Sequence, residues 1–152
     1  MHLKSPIPIL RAFDEAKAKE FYVGFLGFKM DWEHRFGDNY PLYMQVSRDL
    51  RIIHLSERHG DACPGSSMRI ETAGLDDFCA TLRANDYKNS KPGHPLDTSW
   101  GTKEIYVTDP FGNKVMGLLL GEWVILHRGS GFEAVLTGSF SLFWSSKTCC
   151  NV

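Results

Sequence analysis

The chain has 152 residues, 43% of them hydrophobic and 23% charged, enough to bury its own core without a disulfide framework or a structural metal. Seventeen Lys and Arg against eighteen Asp and Glu leave a net charge of -1, which excludes nucleic-acid binding through a concentrated basic surface. The longest uncharged run, residues 134–146, falls short of the ~20 residues of a spanning helix, and Met1 to Pro6 carry no apolar signal core, so the expectation is a cytoplasmic protein with neither membrane nor nucleic-acid partner.

The first element in chain order is a β-like run over 7–13. Asp14 then suits the N-cap of a helix with Glu15 in its first turn, and Ala18, Phe21, Tyr22 and Phe25 follow at i, i+3, i+4, i+7. Gly27 supplies the left-handed residue that ends it. Three β-like runs come next, over 28–32, 42–47 and 51–56. The order then repeats. A run over 68–72 precedes a helix whose stripe is Leu75, Phe78, Cys79 and Leu82 and which stops near Asn85-Asp86. Runs over 87–90, 103–108 and 114–118 follow, the last two separated by an Asp109-Pro110-Phe111-Gly112-Asn113 turn.

The pattern is β-α-β-β-β twice. One such unit has a single helix and an open sheet, and cannot cover both faces. The expected fold is therefore α+β, with two tandem βαβββ modules forming a curved mixed sheet around a concave groove. Beyond residue 118 the charge falls away: 119–152 hold only Glu122, Arg128, Glu133 and Lys147. Within that stretch a hairpin is expected over 123–127 and 132–137 around Arg128-Gly129-Ser130-Gly131, then a strand over 139–144. It reads either as an added sheet edge or as a non-native extension. Exposed, Phe140 to Trp144 would be prone to aggregate, so this stretch is expected to be covered or disordered.

Catalytic signatures are missing from this sequence. It has no GxSxG elbow, Walker loop or GxGxxG. Cys63, Cys79, Cys149 and Cys150 show no CxxC spacing and read as structural or incidental thiols. His34, His94 and His127 are isolated, and His59 with Asp61 lacks a further ligand at metal-binding spacing.

Pro8-Ile9-Leu10-Arg11-Ala12-Phe13-Asp14, Glu20-Phe21-Tyr22 and Phe25-Leu26-Gly27-Phe28 resemble the opening module of the vicinal oxygen chelate superfamily, which includes glyoxalase I, extradiol dioxygenases and bleomycin-resistance proteins. The turn at 109–113 resembles its closing turn. His54-Leu55-Ser56-Glu57-Arg58-His59-Gly60-Asp61, Pro64-Gly65 and Trp100-Gly101-Thr102-Lys103-Glu104 are similar to the bleomycin-resistance branch. The resemblance runs from residue 6 to about 118. It implies one domain over 1–118, with module one at 5–60 and module two at 66–118, and an atypical extension over 119–152.

By the same resemblance, the metal ligands of the superfamily's enzymes fall on Ile7, His54, Ser67 and Met116. One imidazole among these does not make a site for a hard divalent cation, so no metal or other cofactor and no catalytic residue is expected. The resemblance implies a homodimer, with the N-terminal strand exchanged in some relatives, that sequesters a bleomycin-like antibiotic in a metal-free groove at the interface. A cationic drug with a planar bithiazole needs aromatic plates, and Trp32, Phe36, His54, Trp100 and Gly101 are the residues expected to bind it. Two readings stand beside this one: a metal-dependent lyase or dioxygenase of the superfamily, and a binding module for another small aromatic ligand. For each tryptophan a core position is the competing role, and for His54 a hydrogen-bonded place in the sheet.

Overall fold

The computed structural model describes residues 2–85, 87–88 and 90–120; the hairpin and strand expected over 123–144 lie outside them, as do Cys149 and Cys150. Strand β1 is short, Ile9–Arg11, rather than 7–13, because Pro8 has no N–H to give to a ladder. Asp14 is extended and its carboxylate accepts the Lys17 N–H at 2.9 Å, capping α1, Glu15–Lys19.

The helix then widens into a π turn over Glu20–Phe25. Sequence periodicity gave no sign of this. The wider turn places two adjacent pairs, Phe21 with Tyr22 and Phe25 with Leu26, in the core together. Gly27, at φ +72°, ends it as expected.

Strands β2 (Lys29–His34), β3 (Tyr43–Arg48) and β4 (Arg51–Ser56) complete the first module. The second contains β5 (Ser67–Glu71), α2 (Leu75–Ala84), β6 (Leu96–Asp97), β7 (Thr102–Thr108) and β8 (Lys114–Leu120). Of the strand expected over 87–90, the described residues 87, 88 and 90 show none. Tyr87 is instead a core residue stacked on Phe25, with centroids 4.9 Å apart. The fourth strand of this module is the two-residue β6, held by a turn in which Thr98 N–H donates to Thr102 O at 2.8 Å.

Both modules have the same strand order, β1-β4-β3-β2 and β5-β8-β7-β6, with the outer pairs β1/β4 and β5/β8 parallel. They are two four-stranded sheets, not the single sheet expected. Side chains join them instead: residues of both modules form one hydrophobic core, from Leu10, Phe21 and Val46 to Leu82, Val107 and Val115.

The turn at 109–113 is the polar part of this junction. The buried Asp109 carboxylate accepts the N–H groups of Phe111 (2.9 Å) and Asn113 (2.7 Å), the Asn113 side-chain amide (2.7 Å) and the hydroxyl of Tyr22 from α1's π turn (2.8 Å). The same Asn113 amide donates to Arg11 O at 2.8 Å. Burial and the Asp109 charge hold the Tyr22 phenol well above its ordinary range.

Candidate functional site

Alternation along each strand assigns its faces. In β3, Met44 and Val46 are buried under the helix, so Tyr43, Gln45 and Ser47 point the other way. Register then builds a row across the first sheet: Trp32 lies opposite Gln45, Gln45 opposite His54, and His54 opposite Ile9. A β-bulge between Met30 and Trp32 brings the indole into this row.

The row carries an aromatic cluster. Trp32 stacks on Tyr43 with centroids 6.0 Å apart and planes 16° from parallel, and His54 meets both rings edge-on at 5.5 and 5.3 Å. Trp32 remains 41% exposed, so its indole presents a face to solvent.

Hydrogen bonds fix the histidine. Asp31, a pure acceptor, takes the Gln45 amide N–H at 3.0 Å and the Ser47 hydroxyl at 2.9 Å, and both bonds lower its pKa. This turns the Gln45 carbonyl toward His54 Nε2, 3.0 Å away, so Nε2 carries the hydrogen. Nδ1 is left to accept the Tyr43 hydroxyl at 2.9 Å. The imidazole is thus the neutral Nε2–H tautomer with both nitrogens engaged, and burial holds its pKa below the ordinary value.

The second sheet presents a matching row: Arg69 opposite Met116 and Met116 opposite Tyr106. Beside it Trp100 and Gly101 form the turn into β7. The Trp100 indole N–H donates to Glu104 at 3.1 Å, and the Thr102 hydroxyl donates to the same carboxylate at 2.7 Å. These two bonds hold the Glu104 pKa low. Arg69 approaches that carboxylate at 3.4 Å. Gly101, at φ +82°, has its N–H in the turn, on Thr98 O at 3.1 Å.

Of the five expected site residues, the structure brings Trp32 and His54 together. Trp100 and Gly101 belong to the second sheet, and among the described residues no ring contact joins Trp100 to the first cluster. Phe36 is 74% exposed and packs against His34 at 4.7 Å, outside the row. Gln45, which orients His54, escaped sequence reasoning. The alternation of Tyr43-Met44-Gln45-Val46-Ser47 was the available signal.

The metal-ligand positions need a correction. Pro8 O accepts the His54 N–H at 3.0 Å, and the parallel register sets Ile9, not Ile7, beside His54. The equivalent register sets Arg69, not Ser67, beside Met116. An aliphatic chain, a doubly engaged imidazole, a guanidinium and a thioether do not suit a hard divalent cation. Among the described residues no group of three or more His, Cys, Asp or Glu could hold a metal ion.

This architecture has known counterparts. The family described as glyoxalase superfamily protein matches residues 1–118. The chain belongs to that superfamily. Among solved members, the bleomycin-binding protein of Streptomyces verticillus, complexed with copper(II)-bleomycin, is 27% identical, with 80% of this chain and 99% of that one aligned at a TM-score of 0.61. TnmS3, an antibiotic-binding protein from Streptomyces sp. CB03234, is 23% identical over 80% of this chain and 100% of its own, at a TM-score of 0.62. A bleomycin-binding protein complexed with bleomycin is 17% identical over 77% and 98%, at 0.63. The last two likenesses show the fold. No curated sequence matches the chain. Among the described residues, no helix is long and apolar enough to cross a membrane.

Proposed function

We propose that this superfamily member binds and sequesters a bleomycin-like antibiotic without metal and without turning it over. The observation that carries this reading is the Trp32–Tyr43–His54 cluster. It is an open aromatic plate, its His54 and Tyr43 rings fixed by hydrogen bonds, at positions whose neighbours offer no metal site. A planar bithiazole stacks on such a plate, and a cationic tail is attracted by its π-face. The likeness to the Streptomyces verticillus protein, 27% identical and complexed with copper(II)-bleomycin, supports the drug class.

In this proposal the binding site is a crevice at the interface of a homodimer. The first sheet of one copy supplies Trp32 and His54, and the second sheet of the other supplies Trp100, Gly101 and Glu104. The binding domain is residues 1–118, and residues 119–152 are an extension to it. The deciding experiment titrates chelator-treated protein with metal-free and copper-loaded bleomycin, following tryptophan fluorescence and heat. The expected result is saturable binding of one drug per chain, tighter than about micromolar, with no added metal. Binding that appears only on adding a divalent metal, or none at all, overturns the reading.

A further inference from the structure

A cavity separate from the aromatic row lies inside the fold. It is about 350 Å3, within the size range of small-molecule sites, and lies on the helix-covered side of the second sheet. One wall is Phe78 and Leu82 of α2. Another is Ile105, Val107 and Val115 of β7 and β8, and Phe28 closes a third side. The exposed side of its lining comes from the β3–β4 turn, Arg48 to Arg51, and from the end of β5 at Glu71, and makes its mouth.

The charges at this mouth are not equivalent. Asp49, Arg51 and Glu71 are exposed and solvated, whereas Arg48 is half-buried. Its guanidinium lies 5.0 Å from the centroid of the Phe78 ring, on the cavity wall, and one N–H donates to Leu26 O. A guanidinium has five N–H donors, so Arg48 retains donors beside an apolar chamber. A partly desolvated cation with spare donors selects an anion, and a carboxylate matches its planar fork.

We propose that this chamber is a ligand site for a small carboxylic acid with an apolar body. The carboxylate bonds Arg48, and the body lies between Phe28, Phe78 and Val115. The site is separate from the aromatic face and stands or falls independently of drug binding there.

The test is calorimetric titration of the full chain with octanoate, octanol and octylamine. Octanoate is expected to bind saturably at one per chain, octanol about tenfold more weakly, the factor of one lost charge-assisted hydrogen bond, and octylamine not at all. Arg48→Met keeps an aliphatic stem against Phe78 while removing the guanidinium. It should reduce octanoate to the octanol affinity while leaving octanol unchanged, so octanol reports whether the chamber survives. Should that variant lose octanol as well, Ile70→Trp decides: it fills the chamber from a half-buried wall position and must abolish octanoate binding in a protein that still melts cooperatively. Equal affinities for the three probes, an unaltered octanoate affinity in Arg48→Met, or octanoate binding that persists in Ile70→Trp overturns the assignment.

Discussion

His54 shows how much of a residue's role is set by its neighbours. Its two nitrogens are taken by Gln45 and Tyr43, so it can neither ligate a cation nor accept a substrate proton without breaking a bond. Its folded pKa lies below the ordinary value of 6.5 because of burial, so on acidification the unfolded chain takes up the proton first. The His54 contribution to stability is therefore full above about pH 6.5. It declines as pH falls from there toward the folded pKa and then levels. Thermal melting across pH 5 to 8 should show this slope, and His54→Gln should flatten it. Tyr87 makes the opposite case. Its hydroxyl is buried without a hydrogen-bond partner among the described residues, while its ring packs on Phe21 and Phe25. Tyr87→Phe is expected to raise stability by about 1 kcal/mol in denaturant unfolding, since it removes a desolvated polar atom and keeps the ring contacts. A loss of stability would mean that the hydroxyl has a partner.

At the scale of elements, local chemistry wrote some boundaries into the sequence and left others to packing. Asp14 and Gly27 bracket the first helix because a cap and a left-handed residue act within a few bonds of themselves. The π turn between them depends on core residues distant in sequence, and nothing local announces it. The β6 strand was unreadable for a similar reason: Leu96 and Asp97 pair only because Thr98 and Thr102 close the turn that returns the chain. The 109–113 turn was legible from Pro110 and Gly112, but its energetic weight was not, since that comes from Tyr22 and Arg11 far upstream. Asp109→Ala strands four donors and should destabilise the protein by at least about 3 kcal/mol. Tyr22→Phe, which removes one donor and leaves the turn closed, should cost roughly 1–2 kcal/mol. Gly117 tests the seating of α2. A Cβ there would stand 3.1 Å from Leu75 Cδ1 and 3.3 Å from Ile105 Cγ2, so Gly117→Ala should cost about 1–3 kcal/mol through overpacking.

For the molecule as a whole, the repeat of βαβββ was readable because each unit alone leaves a sheet face uncovered. How the two units join was not readable, because the joint is made by buried side chains from both. The candidate site divides in the same way. Trp32 and His54 could be chosen from a resemblance to other chains, whereas their mutual contact depends on a bulge and a register that no local pattern encodes. The proposed crevice gives a test at this scale. Trp32→Ala and Trp100→Ala should each weaken drug binding by ~1–3 kcal/mol, the loss of one aromatic stack. If each crevice takes Trp32 from one copy and Trp100 from the other, a dimer mixed from the two variants regains one intact crevice. Calorimetry of the mixed sample should then resolve a fraction of sites with the parent affinity. No such recovery is expected if both residues act within one chain.

The two matching rows have a consequence for any ligand that touches both. A doubled architecture, left to itself, offers the same surface twice, and a guest could lie either way round. Here one half holds Ile9, His54 and Gln45, oriented by the Asp31 carboxylate, while its counterpart carries a cation, Arg69, with Met116 and Tyr106 and with Glu104 alongside. In the proposed crevice, the divergence of the halves gives a guest a head and a foot, and a single direction of binding is the expectation that follows.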